Sequence, residues 1–249
     1  MADIGIIGTG NVGLHLIREF CATGLYSLEV YSRNTGKTSE IATEFKLILR
    51  EKIGTIEAPI VFVCVPDHAI LDVIKEIPIS KRVIVTGGAI DLNSIEKPLK
   101  GIFYPMQTFS SNCELTNKDY PIFIEGSTPE IYTELTNIGK SIGKACYPST
   151  YEERISYHLT AVWVNNFTNH LLYQAKELAE ANKLNWELFF PLLDETIAKM
   201  KAIDPFEAQT GPAKRMDEMT IQHHIEMLEN KQLEIYQLLT TSISKTYNG

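Results

Sequence analysis

The sequence predicts an α/β fold, a doubly wound parallel sheet followed by an all-helical C-terminal region, on three observations. Apolar, β-branched runs alternate with segments of helical periodicity through the first 149 residues. A glycine-rich turn stands directly after the first of those runs. Strand signals end near Ser149, and only helix-like stretches follow. The expected division is a sheet domain over residues 1–149 and a helical domain over 150–249.

Asp3–Ile7 is an apolar run that stops at glycine, and Val12–Cys21 has helical spacing. Ser27–Tyr31 reads as a strand and Thr38–Leu49 as a helix. Ile60–Val65 is apolar throughout, as a parallel strand covered on both faces requires. Asp67 is placed as the N-cap of a helix over Ala69–Glu76. Arg82–Thr86 repeats the buried-strand pattern, and Gly101–Tyr104 and Pro121–Glu125 continue it. Pro129–Ile142 then reads as a helix and Lys144–Tyr147 as a last short strand. Tyr151–Asn182, Trp186–Ala202, Pro212–Leu228 and Asn230–Lys245 read as helices, broken at Asp204-Pro205 and Thr210-Gly211-Pro212.

With 249 residues, 44% of them hydrophobic, the chain can bury a core without disulfides or structural metals. The net charge is −8, and neither half reverses the sign, which argues against a nucleic-acid partner held by counterion release. Cys21, Cys64, Cys113 and Cys146 are too far apart for a zinc or dithiol motif, and Cys21 and Cys64 are expected as buried free thiols. The longest uncharged helical stretch, Ser156–Ala175, is interrupted by His158, Asn165, Asn166, Asn169 and His170, too polar for a membrane span. No signal peptide precedes the first strand, so a soluble, cytoplasmic protein is expected. His223 and His224, adjacent on a helix, diverge by about 100° and make no metal pair. No metal site is expected.

Gly8-Thr9-Gly10-Asn11-Val12-Gly13 is G-x-G-x-x-G between a strand and a helix, the context its mechanism needs. Gly8 permits a tight turn, Gly10 lets the backbone approach a diphosphate, and Gly13 allows close packing of helix on sheet. The helix N-terminus then offers its free N–H groups to the anion. This pattern predicts a Rossmann dinucleotide site. At the end of the second strand, where an NAD enzyme places a carboxylate, stand Ser32, Arg33 and Asn34. A guanidinium there suits a 2′-phosphate, so NADP is the expected cofactor. Val65 and Pro66 are expected beside the adenosine ribose, and Gly87 and Gly88 beside the nicotinamide.

Taken together, the loop, Ser32-Arg33-Asn34, Val65-Pro66-Asp67 and the helical second half resemble the 6-phosphogluconate-dehydrogenase-like NADP oxidoreductases. Relatives in that superfamily include pyrroline-5-carboxylate reductase and prephenate dehydrogenase. Tyr104-Pro105-Met106-Gln107-Thr108-Phe109, Tyr157-His158-Leu159 through Asn165-Asn166-Phe167, and Thr210 through Asp217 carry a closer likeness. They are similar to NADP oxidoreductases whose C-terminal helical domain has no known function. The resemblance implies an NADP-linked oxidoreductase and a homodimer built through the helical domains. Related sequences often have His-Pro where this chain has Tyr104-Pro105. The superfamily's hydroxyacid dehydrogenases place a lysine four residues before a helical asparagine, and if Asn166 is that asparagine the position holds Val162.

On a regular helix His158, Asn165 and Asn169 share one face, with Asn166 on its flank. A stripe of His and Asn suits a cleft in which a small ligand is hydrogen-bonded and a proton moved. His158 is the candidate acid–base, Asn166 an orienting group, and Arg215 a clamp for a substrate carboxylate. Gln107, Thr108, Asn165, Asn169 and Thr210 are the candidate substrate contacts. The expected partner is a small-molecule substrate. Two readings stay open: a hydride-transferring oxidoreductase acting on an imine or a carbonyl, and a dinucleotide-binding sensor or scaffold without turnover.

Overall fold

The computed structural model describes residues 2–111 and 113–249. They fall into two compact units, one ending at Asn166 and the other Phe167–Gly249.

The first unit is built on a sheet whose described strands are β1 (Ile4–Ile7), β2 (Leu28–Tyr31), β3 (Ile48–Leu49), β4 (Ile60–Val63), β5 (Arg82–Val85), β6 (Lys100–Pro105), β7 (Ile122–Gly126) and β8 (Cys146–Pro148). Their order is β3-β2-β1-β4-β5-β6-β7-β8. The chain runs one way from β1 to β2 and the other way to β4, so β1 and β4 flank the switch point where α/β sheets open a crevice. Among the described strands β8 runs parallel to β7, and β6 and β7 form the antiparallel pair. A loop joins those two strands, and an antiparallel return needs no helical crossover.

Both sheet faces are covered, which explains the unbroken apolar runs. Ile4, Ile6, Phe62, Ile84 and Phe103 meet α1 (Asn11–Thr23), α2 (Thr35–Glu44) and α4 (Pro129–Ser141) on one face. Val61, Val63, Val83 and Val85 meet Ile70 and Ile74 of α3 (Asp67–Glu76) on the other. Phe20, Phe62 and Phe103 form a fully buried edge-to-face ladder with centroids 5.5 and 5.3 Å apart.

Two expected elements are corrected here. The helix predicted over Thr38–Leu49 ends at Glu44, because Lys46 takes a left-handed φ of 55° and the chain turns back as edge strand β3. Arg50, just beyond, donates to the buried carboxylate of Glu29 on β2, which also accepts from the Ala58 N–H. Asp67 is not the N-cap of α3. Pro66 holds that position without a side-chain bond, and Asp67 is the first helical residue.

Helix α5 (Tyr151–Ala161) starts in a reciprocal cap between Thr150 and Glu153. Its contacts lie with the sheet. Fully buried Arg154 pairs with Glu125 of β7 and donates to the Ile90 carbonyl at 2.9 Å, and Tyr157 stacks on Phe123 at 4.3 Å. The single helix predicted over Tyr151–Asn182 is instead interrupted by a π-helical turn, Val162–Phe167. The wider turn shifts every later side chain around the axis. The common face expected for His158, Asn165 and Asn169 therefore does not carry through at about 100° per residue.

The second unit contains α6 (Thr168–Ala181), α7 (Phe190–Ala202), α8 (Pro205–Ala208), α9 (Pro212–Arg215), α10 (Glu218–Glu226) and α11 (Asn230–Asn248). The helix predicted over Pro212–Leu228 is broken at Met216, whose φ of 54° is left-handed. Asp217 then caps α10, its carboxylate accepting from the Thr220 N–H and hydroxyl at 3.1 and 2.8 Å. Against α11, the Ala213 carbonyl accepts from Ser244, and Tyr247 stacks on Phe206 at 4.6 Å.

The thiols differ in burial, and Cys21, expected to be buried, is only partly so, like Cys146. Cys64 is buried and burial pushes its thiol up to about 12, whereas Cys113 is exposed. Brief iodoacetamide treatment of the folded protein at pH 8 should therefore alkylate Cys113 and spare Cys64, as peptide mass mapping would report. Early alkylation of Cys64 would contradict this burial.

Candidate functional site

The turn from Gly8 to Gly13 packs tightly at Gly8 and Gly13, as expected of them. Gly8 sits at φ +103°, and a Cβ there would meet the Cys64 carbonyl oxygen at 2.4 Å. A Cβ on Gly13 would meet the Gly8 oxygen at 2.0 Å, so α1 is seated directly on the turn. Gly10 differs: it is the N-cap of α1 in extended backbone, and a Cβ on it would meet nothing within 4 Å. Space beside a helix N-terminus, cleared at one glycine and walled by two others, is what a diphosphate requires. Val12 continues the first turn of α1 and packs against the core. Thr9 is buried, its hydroxyl 3.2 Å from that of Thr38, and the Asn11 side chain accepts from the Ser111 N–H at 3.1 Å.

A cleft of about 450 Å³ runs from this loop between the ends of β2 and β4. Ser32 and Arg33 line it on one side and Val65 and Pro66 on the other. Asn34 is committed to structure, capping α2 through the Lys37 N–H at 3.2 Å. The α3 side chains of His68, Asp72 and Glu76 also line the cleft. Sequence reasoning missed them, since a polar helix face looks the same whether it borders solvent or a ligand. A larger hollow, about 620 Å³, lies by Ile4 and Ile60, at the amino ends of β1 and β4. That is the wrong end of an α/β sheet for a ligand.

Past β5, Gly87 and Gly88 are spaces already claimed by neighbours. A Cβ on Gly87 would meet the Asp67 Oδ1 at 2.7 Å, and one on Gly88 would meet the Tyr104 ring at 2.9 Å. The Tyr104 hydroxyl lies 3.1 Å from Nδ1 of His158, which is exposed on α5. Burial first, and the Asp67 charge second, raise the Tyr104 phenol above its ordinary pKa. His158 is a candidate from the sequence; Tyr104, its hydrogen-bond partner, and Asp67, whose charge reaches that phenol, are not. Period-based reading treats a strand tyrosine as core, and only the pairing of β6 with β5 brings this one to Gly88.

The other candidates are more dispersed. The Gln107 side chain folds onto its own loop, accepting from the Thr108 N–H at 2.8 Å. Asn165 and Asn166 are exposed in the π turn of the first unit. In the second unit Asn169 is exposed on α6, Thr210 is exposed just before α9, and Arg215 ends α9. Thr210 does not cap α9, because Gly211 takes that place at φ 108°. Arg215 helps hold the Asp217 carboxylate below its ordinary pKa, after the larger contribution of the Thr220 hydrogen bonds. Among the described residues no cluster of His, Cys, Asp and Glu could hold a metal ion, and no helix is long and apolar enough to cross a membrane.

A parallel sheet with a glycine-lined anion turn at its switch point, and an arginine where NAD sites carry a carboxylate, defines a dinucleotide-binding Rossmann protein of the NADP type. Comparison with known proteins agrees. Residues 3–87 match the family described as NADP oxidoreductase coenzyme F420-dependent, and residues 120–243 match a domain of unknown function, DUF2520. A Bacteroides fragilis protein provisionally designated an NADP oxidoreductase is 33% identical, with 97% of each chain covered and a TM-score of 0.89. The chain belongs to this family of NADP oxidoreductases, and its cofactor is NADP. An imine reductase from Myxococcus stipitatus, solved with NADP+, shares the fold at 16% identity, covering 97% of this chain and 93% of its own, with a TM-score of 0.66. A pyrroline-5-carboxylate reductase from Streptococcus pyogenes does so at 13% identity, covering 99% and 97%, with a TM-score of 0.65. No curated protein matches the chain.

Proposed function

We propose that this NADP oxidoreductase reduces the C=N or C=O bond of a small polar, carboxylate-bearing substrate, with the proton shuttled through His158. What supports the reading is that a cleared glycine loop after β1 and a Tyr104–His158 hydrogen bond beside Gly88 both stand at carboxyl ends of parallel strands of one sheet. Gly8, Gly10 and Gly13, with the N–H groups opening α1, hold the diphosphate. Arg33 takes the 2′-phosphate, and Val65 and Pro66 flank the adenosine. When bound, the nicotinamide supplies the hydride chemistry. The chain's own residues bring that ring to the backbone of the Gly87-Gly88 turn, whose side-chain spaces Asp67 and Tyr104 fill, and move a proton at His158.

Arg33→Ala should weaken NADPH binding about tenfold, roughly 1.4 kcal/mol, and leave NADH binding unchanged. Fluorescence titration with both nucleotides checks this; equal losses for the two would remove Arg33 from the 2′-phosphate. Function itself is tested by following NADPH absorbance with 2-methyl-1-pyrroline, pyruvate and benzaldehyde as imine, keto-acid and aldehyde probes. Consumption of NADPH supports the reductase. Tight binding with no consumption across the panel supports a dinucleotide sensor instead.

The second unit works as a homodimer interface in this reading. Ala179 and Ala213 are its only buried apolar side chains among the described residues, while Leu188, Leu192 and Leu238 are exposed. A helical unit leaving that much apolar surface in water is under-covered, and a second copy of the chain supplies the missing face. Sedimentation at micromolar concentration should give twice the chain mass.

A further inference from the structure

We propose that the Tyr104 phenol is the group that protonates the substrate, with His158 behind it as the relay to solvent. The inference rests on the reductase reading above and names the atom through which the proton passes. Tyr104 is next to last in β6, at the carboxyl end of the sheet where the crevice opens. A Cβ on Gly88 would meet the ring carbons Cε2, Cζ and Cε1 at 2.9 to 3.0 Å. The hydroxyl end of the ring therefore lies against the backbone just beyond β5, and only glycine allows it there. Behind the ring, Phe123 stacks at 6.3 Å and Tyr157 of α5 stacks on Phe123 at 4.3 Å, which fixes the phenol's direction. The charged and titratable groups facing the phenol are His158 from α5 and Asp67 from the start of α3. Burial and the Asp67 charge both favour the neutral phenol, so at neutral pH Tyr104 holds a proton to give.

In the step, the C=N or C=O carbon receives hydride and the heteroatom receives the Tyr104 proton. The Oη–H bond breaks and its electron pair stays on the phenolate oxygen. His158 returns a proton to the phenolate from Nδ1 as its exposed ring takes one from water at Nε2. The net change adds one hydride and one solvent proton to the substrate. Tyr104 is the catalytic residue in this scheme and His158 the positioning and relay residue.

The experiment compares wild type with Tyr104→Phe, His158→Gln and Gly88→Ala. Tyr104→Phe should lower kcat on the most active probe at least 100-fold, as loss of a general acid does, with the NADPH dissociation constant within twofold. His158→Gln should lower kcat by about tenfold and reduce the solvent isotope effect. Gly88→Ala, which pushes the ring aside, should also lower kcat. In the unliganded protein, Tyr104→Phe should shift the 15N signal of His158 Nδ1, a readout independent of turnover. Wild-type consumption of NADPH that Tyr104→Phe leaves within threefold overturns the donor assignment and leaves the reductase standing. An unmoved His158 signal overturns the relay. No NADPH consumption by wild type with any probe overturns the reductase and the donor together.

Discussion

Gly10→Val should weaken NADPH binding at least 100-fold, about 2.8 kcal/mol, while leaving the fold intact. The prediction turns on the contrast among three glycines of one loop. Gly10 has an extended backbone that any residue adopts, and a side chain there meets no protein atom within 4 Å. Its cost to the fold is the small difference between glycine and valine at an N-cap, about 1 kcal/mol or less. The branched side chain instead fills the space where a diphosphate must approach the α1 N–H groups. Gly8→Val and Gly13→Val should behave otherwise. Each would drive a carbon into backbone oxygen, at 2.4 and 2.0 Å, and Gly8 is also at positive φ. Those two variants should lose folding along with binding. Calorimetry with NADPH, paired with thermal denaturation, separates the cases; an undiminished affinity in Gly10→Val would falsify the diphosphate assignment.

Arg154→Met should destabilise the protein by about 3 kcal/mol and lower Tm by roughly 6–12 °C. Arg154 is fully buried, pairs with Glu125, and donates to the carbonyls of Ile90 and Ser149. Methionine fills most of the volume but leaves two carbonyls and a carboxylate without their donor. The lower end of the range for a broken buried pair applies, because the Glu125 side chain keeps 25% of its exposure and so can be rehydrated. Arg154→Lys should recover only part of the loss, since one ammonium cannot span Glu125 and Ile90 as the guanidinium does. Because Ile90 closes the Gly87-Gly88 loop and His158 lies one turn along α5, Arg154→Met should also raise KM for the probes. Differential scanning calorimetry supplies the measurement, and a Tm within 2 °C of wild type would show the pair to be dispensable.

Much of this was legible in the residues alone. The strand runs of β1, β4 and β5, the turn from Gly8 to Gly13, and Arg33 at the end of β2 all express local constraints: continuous burial, positive φ, and charge at a fixed distance along the chain. The misses have physical causes as well. Edge strand β3 has two residues, both exposed, and so carries no burial pattern. The break at Met216 depends on Asp217 capping a new helix, a competition that averaging over a window conceals. The π turn in Val162–Phe167 interrupts a segment whose composition is helical throughout.

From the sequence alone came the nucleotide-binding half, because a glycine turn between a buried strand and a helix states its chemistry within six residues. Tertiary structure alone decided which side chains meet beside Gly88. Tyr104 and His158 are 54 residues apart, on a strand and a helix. They meet because β6 pairs beside β5 and because Arg154 and Tyr157 hold α5 to β7. A hydrogen bond made by packing leaves no periodicity in either segment, since each residue is set by a neighbour that the local sequence does not contain.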